Sequence, residues 1–224
     1  MKQIEDFVGR VIQGDCLEVM REMPDKSVDL VLTDPPYGIN RDKGFSGADG
    51  FGGKGKPIER KIYKNDNWDS EIPCEDVFRE IFRISKNQIF FGGNFFAHIL
   101  PKSTHWIFWD KLQTMPTFGD GELLWTSFQK KSIKKYTFQF NGLLSASEDV
   151  REHPTQKPSE LIEWLLRDYG KAGEIILDPF LGSGTTAVAA ERLGRRWIGI
   201  ELEPKYCAIA QTRVDAEKSQ LKMF

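Results

Sequence analysis

Cysteine, histidine and long apolar runs are scarce in this chain of 224 residues. The three cysteines, Cys16, Cys74 and Cys207, are odd in number and far apart, which favours reduced thiols in a cytoplasmic protein over a disulfide framework. The three histidines lack the spacing of metal ligands, so no metal is expected. No run of about 18 apolar residues is present to span a membrane, and the first residues lack the apolar core of a signal peptide.

The net charge of −2 is unevenly distributed. Residues 38–64 carry seven basic side chains against three acids, and residues 126–147 carry four lysines and no acid. The rest of the chain is acidic, so basic loops on an acidic body indicate one face that meets phosphate groups. For residues 126–147, a solvated lysine surface is the alternative interpretation.

An acid, two prolines and an aromatic residue, Asp34-Pro35-Pro36-Tyr37, follow directly on the apolar, β-branched residues 28–33. Those residues predict an interior strand, which the prolines must end at the carboxyl edge of a sheet. There Asp34 and the Pro35 carbonyl offer acceptors and Tyr37 offers a flat face, which suits a planar ring carrying an amino group. An ordinary turn is the alternative for the tetrapeptide alone.

A glycine loop follows a second apolar strand, at residues 174–180, and precedes a helix and a third strand that ends on Glu201. Gly182, Gly184 and Ala187 fit the Gly-x-Gly-x-x-Gly/Ala spacing of nucleoside cofactor sites, and Glu201 stands where a ribose hydroxyl is usually bound. The geometry alone does not choose between a nicotinamide cofactor and another nucleoside. A P-loop is excluded because no Gly-Lys-Ser/Thr follows the glycines.

Asp34-Pro35-Pro36-Tyr37 resembles the catalytic motif of amino-methylating DNA methyltransferases, and the stretch from Asp178 to Thr186 resembles their S-adenosylmethionine loop. The catalytic motif precedes the cofactor loop, as in the β-group of that family. The resemblance implies a Rossmann-like α/β fold, circularly permuted, with a mostly parallel seven-stranded sheet and one reversed strand, for which residues 122–125 are the candidate. It also implies adenine-N6 methylation of double-stranded DNA, base flipping, a restriction–modification setting and a homodimer.

The same resemblance assigns cofactor contacts. They are Asp15, Asp34, Lys157, Ser159, Asp178, Pro179, Phe180, Gly182, Ser183, Gly184, Thr185, Thr186 and Glu201. Asp15 would contact the adenine of the cofactor, although it could equally be the N-cap of a helix over residues 16–22. Lys157 belongs to the hexapeptide of residues 153–158, and Ser159 follows it at the start of a helix. Both would bind the methionine end of the cofactor, although a turn with a helix cap explains the hexapeptide as well.

Two segments are left for DNA within a single methyltransferase domain over residues 1–224. Residues 38–67, rich in glycine, are expected to form a mobile lid or DNA-facing loop, and residues 117–149 a short target-recognition segment. The candidate DNA-binding side chains are Arg41, Lys43, Lys54, Lys56, Lys130, Lys131, Lys134 and Lys135.

Cytosine-N4 methylation by the same chemistry is the closest alternative, and Asp at position 34 favours adenine. A catalytically idle DNA-binding relative is the alternative from another class, against which the intact Asp34, Tyr37, Gly182 and Gly184 argue. The chain would be encoded by a bacterium or its virus.

Overall fold

The computed structural model describes residues 2–39, 69–112, 119–139 and 156–221. The chain divides into two compact units, Met1–Pro35 with Cys74–Phe224, and Pro36–Pro73. The predicted loop over residues 38–67 falls almost wholly outside the described residues, and so do Arg41, Lys43, Lys54 and Lys56. A single domain over the whole chain therefore stays a prediction.

All helices and strands of the described residues belong to the first unit. The strands are β1 (Val11–Gln13), β2 (Val28–Thr33), β3 (Ser85–Phe91), β4 (Trp106–Asp110), β5 (Gly121–Thr126), β6 (Lys134–Thr137), β7 (Ile175–Asp178) and β8 (Arg196–Glu201). The α-helices are α1 (Cys16–Arg21), α2 (Glu75–Ile84), α3 (Ser159–Tyr169), α4 (Thr185–Arg192) and α5 (Pro204–Leu221).

The strands form one sheet in the order β1-β8-β7-β2-β3-β5-β4-β6. β5 is antiparallel to both of its neighbours and every other pair is parallel, which confirms the prediction of one reversed strand at residues 122–125. β7, which leads into the glycine loop, comes late in the sequence and yet lies beside β2. The strand order of the sheet therefore confirms the circular permutation that was predicted from the order of the two motifs.

The sheet of the described residues has eight strands, one more than the predicted seven, and the additional strand is β6. Its sequence, Lys134-Lys135-Tyr136-Thr137, shows no alternation of apolar and polar residues because three of its four side chains are exposed. Only Tyr136 is partly covered, and its ring stacks on Trp164 of α3 with centroids 4.7 Å apart. β6 falls within the predicted recognition segment, residues 117–149, which remains a prediction.

Alternating side chains of the central strands build two cores. Leu30 and Leu32 of β2 and Leu124 of β5 belong to a cluster with the apolar faces of α3, α4 and α5. On the opposite face an aromatic cluster joins the sheet to α2, whose apolar residues Val77, Phe78 and Ile81 recur at helical spacing and are buried. Its members are Phe78, Phe82, Phe90 and Trp125, with neighbouring ring centroids 5.6–6.3 Å apart. The sheet is thus covered on both faces, which fits its parallel strands.

We expect Gly121→Ala to destabilise the protein by about 1–3 kcal/mol through overpacking. A Cβ at Gly121 would overlap the carbonyl oxygen of Trp109 and lie 2.5 Å from Cε2 of Phe108 on the paired strand β4. Gly119→Ala is the matched control because, within the part of the chain that the structure describes, its Cβ would come no closer than 3.7 Å to a neighbouring atom. Urea unfolding of both variants checks the difference, and equal stabilities would contradict this account of the β4–β5 pairing.

Candidate active site

The candidate site lies at the carboxyl edge of the sheet, where the connections from two neighbouring strands lead to opposite sides. From β2 the chain proceeds through α2 to β3 on one side, and from β7 it proceeds through α4 to β8 on the other side. β2 and β7 are neighbours, so the switch point lies between them, and open α/β sheets bind ligands at that point. Both predicted motifs follow these two strands.

The catalytic candidate Asp34 is held by a lysine from a distant part of the sequence. Nζ of Lys157, just ahead of α3, donates to Oδ2 of Asp34 at 2.7 Å. The Lys157 side chain is only 8% exposed, so its charge is removed from water and depends on carboxylate partners. Sequence analysis had predicted each residue separately, and the structure brings them together.

A second acid contacts the same lysine. Oε2 of Glu122, on the reversed strand β5, lies 3.3 Å from Nζ of Lys157, and Oε1 lies 2.5 Å from Nζ of Lys111. The two ammonium groups also lie over aromatic rings, Lys157 over Phe91 and Lys111 over Trp109, at 5.2 and 4.7 Å from the ring centroids. Four charges of alternating sign therefore run from Asp34 into the sheet.

Tyr37 and Pro36 belong to the second unit. In that unit the carboxylate of Asp69 accepts hydrogen bonds from the backbone N–H of Tyr37 at 2.7 Å and from that of Gly38 at 3.0 Å. These two bonds fix the backbone that follows the two prolines. A role for Asp69 was not predicted, since the residue lies 32 positions after Tyr37 and no motif links them.

Asp178 closes β7 and is buried. Its Oδ1 accepts hydrogen bonds from Oγ1 of Thr33 at 2.7 Å and from the backbone N–H of Phe180 at 3.1 Å. Its Oδ2 accepts from Oγ1 of Thr186 at 2.7 Å. Burial raises the pKa of Asp178 to about 6, although these three hydrogen bonds act to lower it. Asp178 thus stabilises the loop through buried hydrogen bonds. Direct contact of Asp178, Pro179 or Phe180 with a cofactor stays a prediction.

The two glycines of the loop serve different needs. Both are left-handed, with φ of +55° at Gly182 and +88° at Gly184. A Cβ at Gly182 would meet no atom of the described residues within 4 Å, whereas a Cβ at Gly184 would lie 2.8 Å from Cβ of Ala210 in α5. Gly184 is therefore required for the contact between α4 and α5, and Gly182 borders open space where a ligand could approach the backbone.

An arginine that the sequence did not single out holds the loop from outside. Nη1 of Arg213, in α5, donates to the backbone oxygen of Ser183 at 2.7 Å and to the hydroxyl oxygens of Ser183 and Thr185 at 3.1 and 3.4 Å. The Ser183 hydroxyl in turn donates to Oε1 of Gln156 at 3.0 Å. The apolar periodicity of a helix does not reveal such a role, since it does not distinguish Arg213 from an arginine on the solvent-facing side.

Glu201 ends β8 beside the loop, as predicted. Its two carboxylate oxygens accept from the backbone N–H of Gly182 at 2.7 Å and of Glu203 at 2.9 Å. Burial raises the pKa of Glu201, and the backbone hydrogen bonds oppose this. Each carboxylate oxygen has a second lone pair, so the group can still accept hydrogen bonds from a sugar diol.

Two further cofactor candidates have local partners. Oδ1 of Asp15 accepts from the backbone N–H groups of Leu17 and Glu18 at 2.8 and 3.2 Å, so the N-cap interpretation of Asp15 holds. The hydroxyl of Ser159 accepts from Nη1 of Arg192 at 3.2 Å. Contacts of Asp15 and Ser159 with a cofactor stay predictions.

The lysines of residues 126–147 lie on the surface around β6. Lys134 pairs with Asp168 at 3.3 Å and Lys135 with Asp110 at 2.6 Å, while Nζ of Lys130 lies 4.4 Å from the ring centroid of Tyr169. Lys131 is exposed. Exposed ion pairs are weak, so the carboxylates do not prevent Lys134 and Lys135 from meeting other anions, and the DNA contacts of these lysines stay predictions.

The cysteines form no disulfide. Burial raises the pKa of Cys16 to about 12 and that of Cys207 to about 11, so both remain protonated thiols rather than nucleophiles. Among the described residues, no group of three or more His, Cys, Asp or Glu side chains could hold a metal ion, and no helix is long and apolar enough to cross a membrane.

Comparison with known proteins gives consistent matches. The profile of a family described as DNA methylase matches residues 109–212. Type II methyltransferase M.HinfI of Haemophilus influenzae is 29% identical over 254 aligned residues, with 95% of this chain and 70% of the relative covered. Type II methyltransferase M2.DpnII of Streptococcus pneumoniae is 27% identical, with 92% and 90% covered.

Solved structures share the fold. M1.HpyAVI in complex with SAM superposes with a TM-score of 0.59 at 22% identity, covering 92% of this chain and 98% of that one. The cytosine-N4-specific PvuII DNA methyltransferase also gives 0.59, at 19% identity and with 90% and 84% covered. The α/β architecture with its mixed sheet is therefore that of DNA methyltransferases.

We expect the stability of Asp178→Asn to depend on pH differently from that of the natural protein. Because the folded-state pKa of Asp178 is raised above its ordinary value of 3.8, its contribution to stability is complete below pH 3.8 and is lost as the pH rises through about 6. Between pH 4 and 7 the free energy of unfolding should shift in favour of the variant by on the order of 3 kcal/mol. Urea unfolding at several pH values measures the shift, and a constant difference would contradict it.

Asp29→Asn provides a control of opposite sign. Burial acts to raise the pKa of Asp29, but hydrogen bonds from Lys86 and from the backbone N–H of Ile175 outweigh it and lower the pKa. Its contribution to stability is therefore present above the unfolded pKa and is lost as the pH falls, so the natural protein loses its advantage over Asp29→Asn on acidification.

Proposed function

We propose that this chain, which belongs to the family of N6- and N4-type DNA methylases, transfers a methyl group from S-adenosylmethionine to the exocyclic N6 of an adenine in double-stranded DNA. The observation that carries the proposal is the position of Asp34. Its carboxylate is fixed by Lys157 at the switch point of the sheet, beside the strand that leads into the glycine loop.

The residues around the glycine loop fit the cofactor. Gly182 presents backbone with open space beside it, and Glu201 offers carboxylate oxygens at the end of the neighbouring strand. We assign the ribose hydroxyls to Glu201 and the close approach to the loop backbone at Gly182 and Ser183. When bound, S-adenosylmethionine supplies an electrophilic methyl group on a sulfonium sulfur.

Asp34 prepares the accepting nitrogen. An adenine inside a duplex cannot present N6, so the base must be flipped out at a cost of a few kcal/mol. The N6 lone pair is conjugated with the ring and is a poor nucleophile. Hydrogen bonds from its N–H groups to the Asp34 carboxylate and the Pro35 carbonyl localise and aim that lone pair. Catalysis then comes from positioning and electrostatics, without a covalent intermediate on a cysteine.

The remaining assignments extend this proposal. Tyr37 stacks on the flipped base, which is worth about 1–3 kcal/mol for a base on an aromatic ring. The lysines around β6, together with the basic residues of the segment 38–67 that is predicted to form a loop, meet phosphates. We further propose a place in restriction–modification, since the two relatives are named Type II methyltransferases. A homodimer and a cytoplasmic location are proposed from the family resemblance and from the cysteine content of the sequence.

The first test is direct. Purified protein incubated with unmethylated mixed-sequence duplex DNA and S-adenosylmethionine should produce N6-methyladenine, measured by mass spectrometry of the digested nucleosides. N4-methylcytosine instead would retain the mechanism and correct the base. Neither product, with the cofactor bound, would contradict the proposed activity.

Asp34→Ala should lower kcat by about 100-fold or more because the acceptor for the N6 hydrogen is lost. The affinity for S-adenosylmethionine should change little, because Asp34 is only one of the proposed cofactor contacts and the others are retained. Asp25→Ala is the control, since Asp25 is an exposed acid paired with Arg83 and lies outside the site. Steady-state kinetics and calorimetric cofactor titration measure the two effects. Normal turnover by Asp34→Ala would remove Asp34 from the mechanism.

Gly182→Ala should weaken cofactor binding, whereas Gly194→Ala should not. Both glycines are left-handed, at φ of +55° and +60°, and a Cβ added at either one would meet no atom within 4 Å among the residues that the structure describes. Both substitutions should therefore cost about 1–2 kcal/mol of stability through the backbone. Only Gly182 lies in the loop. Equal cofactor affinities in calorimetric titrations of the two variants would contradict the assignment of the loop.

A further inference from the structure

Glu122 is an unusual residue for its place in the fold. It lies on β5, between Gly121 and the apolar residues Leu123, Leu124 and Trp125, and its side chain is only 12% exposed. Strand pairing does not require an acid there, and burying a carboxylate is costly unless it is compensated. Its compensation comes from two lysines, Lys111 and Lys157, that belong to different segments of the chain.

The geometry makes Lys157 a shared partner. Its ammonium lies 2.7 Å from Oδ2 of Asp34 and 3.3 Å from Oε2 of Glu122, so two carboxylates compete for one cation. Lys111, 2.5 Å from Oε1 of Glu122, weakens the pull of Glu122 on Lys157. The position of Lys157, and with it the rotation of the Asp34 carboxylate, is set by this balance.

The four linked charges form a row that consists of Asp34, Lys157, Glu122 and Lys111. This row also has rigid surroundings. Lys111 directly follows β4, and its backbone N–H donates to the backbone oxygen of Asp120 at 3.0 Å. The rings of Phe91 and Trp109, both buried in the sheet, lie beside the two ammonium groups. Buried ion pairs contribute little to stability compared with apolar packing, so a row of this kind needs another reason for its presence.

We infer that Glu122 and Lys111 are positioning residues for methyl transfer, acting on Asp34 through Lys157. This inference rests on the proposed function and adds two residues that neither predicted motif contains. Glu122 draws part of the Lys157 charge away from Asp34, which leaves the Asp34 carboxylate oriented and a strong enough acceptor for the N–H of the target base. Lys111 keeps Glu122 from drawing Lys157 away altogether.

The kinetic test compares Glu122→Gln and Lys111→Met with Glu80→Gln. Each of the first two should lower kcat by about 10- to 100-fold, with KM for DNA and the affinity for S-adenosylmethionine within about twofold of the natural protein, since misplacement at the reacting group affects kcat. Glu80→Gln breaks a pair of similar burial, with Arg83 at 2.7 Å on α2, and should leave kcat unchanged.

The double variant Glu122→Gln with Lys111→Met sharpens the test. If Lys111 acts through Glu122, the double loss is no greater than that of Glu122→Gln alone, instead of the product of the two single losses. Multiplicative losses would overturn the inference. So would normal kcat in Glu122→Gln, or a kcat loss accompanied by an equal loss of cofactor affinity and a lowered Tm, which is the pattern of a structural role.

A spectroscopic arm separates this inference from the proposed function because it needs no turnover. In nitrogen-15 lysine spectra the Lys157 ammonium signal, assigned by its disappearance in Lys157→Met, should shift in Glu122→Gln and stay in place in Glu80→Gln. An unshifted signal overturns the inference even if the natural protein methylates DNA. A shifted signal supports the coupling of the row even if the natural protein methylates no adenine, an outcome that defeats only the proposed function.

Discussion

The buried carboxylate of Asp178 joins the strand that precedes Asp34 to the helix that follows the glycine loop. It accepts from Thr33, at the end of the strand that leads to Asp34, and from Thr186, in the first turn of the helix that follows the glycine loop. A third hydrogen bond, from the backbone N–H of Phe180, fixes the turn between strand and loop. The relation between Asp34 and the glycine loop therefore depends on one side chain that is shielded from solvent.

Around this centre the site is held by contacts from both sides of the switch point. Arg213 and Gln156 fix the loop at Ser183, and Glu201 fixes it at Gly182. On the other side, Lys157 fixes Asp34 and joins it to Glu122. These contacts come from segments far apart in the sequence. The site is accordingly preorganised by the tertiary structure, which is what an electrostatic mechanism requires.

Much of the fold could be predicted because its signals are local. Apolar strands ended by Asp34-Pro35 and by the glycine loop, helical apolar spacing in residues 75–84, and the order of the two motifs determine the central strands and the permuted route. β6 escaped prediction because an exposed edge strand needs no apolar pattern. Arg213 and Glu122 escaped because they contact Ser183 and Lys157, which lie 30 and 35 positions away, and no sequence motif records such a contact. Gly184 lies in the predicted loop, yet its requirement comes from the close contact with Ala210 of α5, which the spacing of the glycines does not reveal.

The permuted strand order has a consequence for the synthesis of the protein. β2 is a central strand, but its neighbour β7 lies about 145 positions later, the separation of Thr33 from Asp178. At ribosomal rates of about 5–20 residues per second, that neighbour emerges roughly 7–30 s after β2. During this interval the apolar residues of β2 can pair with β3 only, leaving one strand edge open. This topology therefore requires that the open edge of β2 be protected on the ribosome. The edge is covered only when β7 has been synthesised, in the last quarter of these 224 residues.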